Sequence, residues 1–111
     1  MVSNSRIKPE VEVVTSIDLE HLYQACCARQ EYVEHVLKNL KLYLPSNFEQ
    51  ARLNRGNANL VEISCACNED EVAKLVVKRL RADNSPLWSV SWKKGRFASD
   101  RIFRFTRRVA R

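Results

Sequence analysis

The side chains best suited to chemistry lie in Leu87–Arg111, where cations and hydroxyls alternate with large apolar residues. This segment holds both tryptophans and three of the four phenylalanines. Because successive side chains of a strand point to opposite faces, the alternation predicts two strands with aromatic faces turned to a core and polar faces turned to solvent. Lys93–Asp100 would join them as a hairpin, with Gly95 able to adopt a positive φ.

The polar face of this hairpin carries the donors that phosphate oxygens require. Guanidinium and ammonium groups bind phosphate through charge-assisted hydrogen bonds, and hydroxyls add neutral ones. Because no glycine-rich cradle accompanies them, the pattern favours contacts along an extended nucleic-acid backbone over capture of a single nucleotide. The alternative is that the charges only protect a sheet edge from aggregation. The predicted nucleic-acid-binding residues are Ser89, Ser91, Lys93, Lys94, Arg96, Arg101, Arg104, Arg107, Arg108 and Arg111.

The net charge of +6 is unevenly distributed along the chain. From Lys78 onward eleven lysines and arginines stand against two aspartates, a local charge of +9, whereas residues 1–77 carry −3. A basic end on a slightly acidic body predicts a polyanionic partner, with RNA or structured duplex favoured over a specific sequence. A second hypothesis is an interaction or inhibitory module that docks on an acidic protein surface. Membrane contact ranks below both, because the cations lie on predicted strands rather than on an amphipathic helix.

Cysteine and histidine could supply metal ligands or a nucleophile, but their spacing favours neither use. Cys26 and Cys27 are adjacent, Cys65 and Cys67 are one residue apart, and no C-x2-C or H-x3-5-H arrangement is present. Three of these thiols fall on predicted apolar faces, which favours a role as small buried hydrophobes. No paired-carboxylate or other catalytic motif stands out. We therefore expect no metal site, no cofactor and no enzymatic activity.

Helices are expected to cover one side of the hairpin. The first begins near Ser16, follows an apolar stripe of helical period, and stops at Pro45. A short second helix at Ser46–Arg55 has a serine cap and ends at Gly56, which can adopt the left-handed conformation. A third helix begins at Asn68 with a capping box.

The first helix is long for a chain of this size. If continuous it measures about 42 Å, whereas the radius of gyration of a compact domain of this length is about 13–14 Å. It therefore either breaks near Cys27–Gln30 or overhangs the body. An overhanging apolar stripe needs a partner, most simply a second copy of the chain, whereas a bent helix packed within its own chain needs none. The predicted homodimer interface is Leu22, Cys26, Val33, Leu37 and Leu40.

Together these elements predict an α+β domain over residues 11–111 after a flexible tail at 1–10. The expected architecture is a small antiparallel or mixed sheet packed on one side by helices, with a long N-terminal helix and a C-terminal β-hairpin. Val11–Val14 and Leu60–Cys67 are the remaining predicted strands. The polar N-terminus and the unpaired cysteines predict an intracellular protein, cytoplasmic or nuclear.

Overall fold

The computed structural model describes residues 17–108, which form two helices and three strands. Their order confirms the predicted α+β class with a long N-terminal helix and a C-terminal hairpin. The predicted tail at 1–10, the strand at Val11–Val14 and the binding residue Arg111 lie outside the described residues. The elements are α1 (Leu19–Arg55), β1 (Leu60–Ala66), α2 (Asp70–Asn84), β2 (Trp88–Lys94) and β3 (Asp100–Arg107).

The sheet is antiparallel throughout and has the order β1-β3-β2. β2 and β3 form the predicted hairpin, and β3 also pairs with β1, from Leu60 opposite Thr106 to Ala66 opposite Asp100. β1 and β2 are therefore parallel to each other with β3 between them, and α2 connects them. This is a split βαβ unit, in which the strand that comes last along the chain fills the centre of the sheet.

Both helices pack on one face of this sheet, and no helix or strand among residues 17–108 covers the other face. Alternation places the apolar residues of each strand toward the helices, so the core is a single layer between helices and sheet. The largest side chain fully inside it is Phe103, which lies on the central strand and is 0% exposed. The buried apolar residues are Val33, Val36, Leu40, Ala51, Val61, Ile63, Cys65, Cys67, Val72, Ala73, Val76, Val77, Val90, Phe103 and Phe105.

α1 continues through Pro45, so the predicted stop at this proline and the separate helix at Ser46–Arg55 are wrong. A proline inside a helix removes one backbone donor and crowds the preceding turn, at a cost of about 3 kcal/mol. The chain tolerates this because α1 buries apolar side chains on both sides of the proline, with Leu40 before it and Ala51 after it. Tertiary packing therefore outweighs the local preference at this position.

The helix ends show which local signals the structure uses. Asp18 caps α1, since its side chain accepts a hydrogen bond from the His21 N–H at 3.0 Å. Gly56 ends the helix at φ 83°, as predicted. Asn68 does not cap α2 as predicted, because its side-chain oxygen accepts a hydrogen bond from the Tyr32 hydroxyl. Gly95 does not take the predicted positive φ.

α1 is longer than the body it packs on. Its 37 residues measure about 55 Å, and the described chain extends 69 × 28 × 27 Å. The helix does not break near Cys27–Gln30, so of the two expected arrangements the chain adopts the overhang.

Candidate nucleic-acid interface

The sheet face turned away from the helices is called the outer face. Strand register places its residues in rows, because antiparallel partners lie side by side. The central row is Glu62 on β1, Arg104 on β3 and Ser91 on β2. The outer face consists of Leu60, Glu62, Ser64, Ala66, Ser89, Ser91, Lys93, Asp100, Ile102, Arg104 and Thr106.

Two cations of the outer face share one carboxylate. Glu62 Oε2 lies 3.1 Å from Arg104 Nε and 3.8 Å from Lys93 Nζ. All three side chains are exposed by a third or more, and the arginine by 53%. Ion pairs this exposed contribute only about 0–1 kcal/mol each. A phosphate oxygen can therefore replace the carboxylate at little cost.

Three more of the predicted binding residues are exposed cations without an ion pair to any residue in 17–108. Arg107 and Arg108 lie at the end of β3, where their backbone N–H groups donate to the carbonyls of Asn59 and Leu87 at 2.8 Å. Arg96 lies in the loop between β2 and β3. These three charges therefore lie at the two ends of the hairpin.

Arg101 belongs with the core rather than with the outer face. Its side chain lies on the same face of β3 as that of Phe103, toward the helices, and is 8% exposed. Its Nε donates to Asp70 Oδ1 at 2.9 Å, and its Nη1 donates to the carbonyls of Ala98 and Asp100. Because these contacts use its donors internally, Arg101 is not available on the surface to which it was assigned.

Lys94 lies near the Asp70 carboxylate that Arg101 contacts. Its Nζ lies 3.9 Å from Asp70 Oδ2, and its side chain is 75% exposed. This contact is longer than a hydrogen bond, so it restrains the lysine weakly. Lys94 therefore stays at the surface beside Arg96, near the tip of the hairpin.

The helix α2 adds cations to those of the hairpin. Lys74, Lys78 and Arg81 lie at intervals of four and three along α2, which is one helical face. This face borders a groove of about 440 Å³ against β2. The groove is lined by Lys74, Val77, Lys78, Arg81, Ser91 and Trp92.

Arg81 connects this groove to the sheet edge. Its Nε donates to the Val90 carbonyl at 2.9 Å. Since β2 is an edge strand of the sheet, the Val90 carbonyl has no strand partner among the described residues. The arginine satisfies it and stays at the surface. Cations therefore surround β2 on both sides, from the outer face across the strand edge to α2.

Aromatic residues are divided between the core and the hairpin tip. Trp88 and Trp92 are half-buried against the core, and Trp88 packs on Phe48 with ring centroids 5.6 Å apart. The expected core role of the tryptophans is therefore what the structure shows. Phe97 differs, because it is 62% exposed in the loop beside Arg96. An exposed ring next to cations can stack on an unpaired base.

The buried thiols are poorly suited to nucleophilic chemistry. Burial raises the pKa of Cys65 and of Cys67, and in Cys65 the nearby Cys67 raises it further. A raised pKa keeps the thiol protonated at neutral pH, and the thiolate is the reactive form. Within residues 17–108 no three histidine, cysteine or acidic side chains come together as a group that could hold a metal ion.

The five predicted dimer-interface residues separate into two sets. Val33 and Leu40 are buried in the chain's own core, and Leu37 packs against it. Leu22 is 56% exposed and Cys26 is exposed. Only these last two are free to contact a second chain.

Comparisons of the sequence and the structure with family models, curated proteins and solved structures found no match. In the described part of the chain, neither helix is long and apolar enough to cross a membrane.

Proposed function

We propose that this protein binds nucleic acid, RNA or duplex, through phosphate contacts on the outer face and around β2, without catalysing a reaction. The observation that carries the proposal is the excess of cations there. Lys93 and Arg104 share a single carboxylate, and Arg96, Arg107 and Arg108 pair with no carboxylate in the described part of the chain. A polyanion can neutralise this surface where the protein itself does not.

Backbone recognition fits this surface better than base reading. The outer face has serine and threonine hydroxyls between its cations, which suits phosphate and sugar oxygens. Its only large apolar side chains, Leu60 and Ile102, are half-buried. Because it lacks aromatic rings, the outer face has no stacking platform, and Phe97 at the hairpin tip is the one exposed ring nearby.

The direct test measures affinity for single- and double-stranded RNA and DNA as a function of salt concentration. Each phosphate that the protein neutralises releases counterions and contributes about −0.9 on duplex, or about −0.7 on single strands, to the slope of log K against log salt concentration. Replacing Arg104 and Arg108 together by glutamine should reduce this slope by about 1.4–1.8 and weaken binding to all sequences alike. Circular dichroism would verify that the variant folds.

A matched control removes the same charge elsewhere. Lys38 and Lys41 are exposed on α1, on the helical side of the molecule. Replacing both by glutamine should leave the slope nearly unchanged. Absent or salt-independent binding would refute the proposal, and an equal loss in both double variants would refute the assignment to the outer face. Nuclease-resistant capture of an acidic protein without any nucleic-acid binding would favour the alternative protein-docking module.

A further inference from the structure

The first third of α1 lies beyond the body of the protein. This segment, Leu19–Gln30, is called the overhang. Within it only Cys27 is partly buried, and the first fully buried residue of the helix is Val33. The radius of gyration of the described chain is 19.9 Å, against about 13 Å for a compact domain of this length. Apart from Cys27, the side chains of the overhang are therefore not covered by residues 17–108.

The overhang nevertheless carries an apolar stripe. Leu19 and Leu22 are 74% and 56% exposed, and Tyr23 is 62% exposed. With Cys26 they follow the three-and-four spacing of one helical face. The same spacing leads on to Val33, where the stripe enters the core. A stripe that is buried at one end and bare at the other is typical of a contact with another chain.

A groove at the base of the overhang offers a complementary surface. It lies between α1 and α2 and has a volume of about 770 Å³. Leu75 and Ala82 supply its exposed apolar lining, next to the buried Val33, and Leu75 is 37% exposed. Its charged lining consists of Lys78, Arg79, Glu31 and Glu34, and Arg79 pairs with Glu34. A helix with a narrow apolar stripe and a carboxylate within reach of Lys78 would match this lining.

The overhang of a second copy has that chemistry. Its tip carries Asp18 and Glu20 beside the apolar stripe. The groove offers Lys78, which forms no ion pair with residues 17–108, and Arg79, whose only such partner is Glu34 at 2.8 Å. Parallel overhangs would bring the two acidic tips together, whereas antiparallel overhangs bring each tip toward Lys78 of the other copy.

We propose that two copies associate through an antiparallel, two-fold contact in which each overhang lies against the α1–α2 groove of the other. With the axis near Cys26, Leu19 of one copy reaches the level of Val33 of the other, about 10 Å beyond the axis at 1.5 Å per residue. Asp18 and Glu20 then lie near Lys78. Because the contact is isologous, every favourable pairing occurs twice. The contact does not depend on nucleic-acid binding.

The first experiment measures mass by sedimentation equilibrium after nuclease treatment. The chain has a mass of 12.9 kDa, so a concentration-dependent species of twice that mass is expected. Leu22→Glu should raise the dimer dissociation constant by about a hundredfold or more, because each dimer carries the buried charge twice. Leu53→Glu is the matched control, since Leu53 is 75% exposed on the last turns of the same helix. That variant should dimerise like the original chain.

A charge exchange tests the antiparallel arrangement separately from folding. Lys78→Glu should weaken the dimer at least threefold, and adding Glu20→Lys should restore it, since the two charges then attract again. A short bis-maleimide should also link Cys26 of one copy to Cys26 of the other, and Cys26→Ser with Cys27→Ser should prevent it.

A monomeric mass at every concentration would overturn the proposal. Residues 1–16 or a different protein would then be the candidates to cover the apolar stripe. A dimer that survives Leu22→Glu would also overturn it. A dimer in which the charge exchange fails to restore affinity would overturn the antiparallel contact.

Discussion

The carboxylate of Glu62 gives the sharpest test of the outer face, because it competes with phosphate for two cations. Its Oε2 lies 3.1 Å from Arg104 and 3.8 Å from Lys93. Replacing it by glutamine keeps the size of the side chain and removes the charge that phosphate has to displace. We therefore expect Glu62→Gln to bind nucleic acid more tightly than the original chain.

Two contributions set the size of this gain. Each exposed ion pair is worth about 0–1 kcal/mol, so freeing both cations removes about 0.5–1 kcal/mol of competition. A phosphate about 6 Å from a carboxylate in water is repelled by about 0.7 kcal/mol before salt screening. The sum after screening is about 1–1.5 kcal/mol, or roughly a 5–10-fold lower Kd at 0.1 M salt.

Fluorescence anisotropy with a labelled RNA duplex would measure this change between about 0.05 and 0.3 M salt, where phosphate contacts respond strongly. Glu49→Gln serves as the control, because Glu49 is exposed on α1 and the substitution changes the net charge equally. It should alter Kd by less than about twofold, since α1 packs on the opposite side of the sheet from the outer face.

Two outcomes would contradict a competition between Glu62 and phosphate. If Glu62→Gln binds no more tightly, phosphate does not compete for Arg104 and Lys93, and the outer face is not the docking surface. If Glu49→Gln gains as much, the effect reports net charge alone.

The remaining predictions concern stability and thiol reactivity. Arg101→Ala should lower the free energy of unfolding by about 2–4 kcal/mol, since the Ala98 carbonyl and the Asp70 carboxylate lose the hydrogen bonds that Arg101 donates; an unchanged urea midpoint would contradict this. Pro45→Ala should raise the free energy of unfolding by about 1–3 kcal/mol in the same assay, because it restores a helical donor; a lower midpoint would contradict it. Cys26 should react with Ellman's reagent in the native protein, whereas Cys65 and Cys67 should react only after unfolding. Because the pKa values of Cys65 and Cys67 are raised in the folded chain, these thiols lose their protons at lower pH in the unfolded chain. The free energy of unfolding should therefore fall as pH rises past about 8.5. Alanine at both positions should reduce that fall.

Much of the fold was predictable because its signals are local. The alternation from Trp88 to Arg107 defines the hairpin, and Gly56 ends α1 where a left-handed residue is needed. Charge and hydroxyl placement on the outer face follows from the same alternation. These features depend on residues close together in the chain, so the sequence was sufficient to predict them.

The errors arise where distant residues decide the outcome. Pro45 lies inside α1 because the core holds the helix on both sides of it. Asn68 bonds to Tyr32, 36 positions away, and not to its own helix. Arg101 meets Asp70 across 31 positions, which moves one predicted binding residue into the interior. No local pattern reports such pairings.

The α2–β2 groove was missed for a different reason. The four-and-three spacing of Lys74, Lys78 and Arg81 is visible in the sequence, and a helical-face count would have found it. Which strand that face borders depends on the sheet order, and the sequence does not show it.

The central position of β3 has a consequence for biosynthesis. Ribosomes make the chain from its N-terminus, so β1 and β2 exist before the strand that joins them. Until Asp100–Arg107 leaves the exit tunnel, both earlier strands have apolar faces and bare edges that nascent chains on neighbouring ribosomes could pair with. A chain that is truncated or stalled before Asp100 would therefore hold β1 and β2 without the strand that joins them, and it should be prone to aggregation.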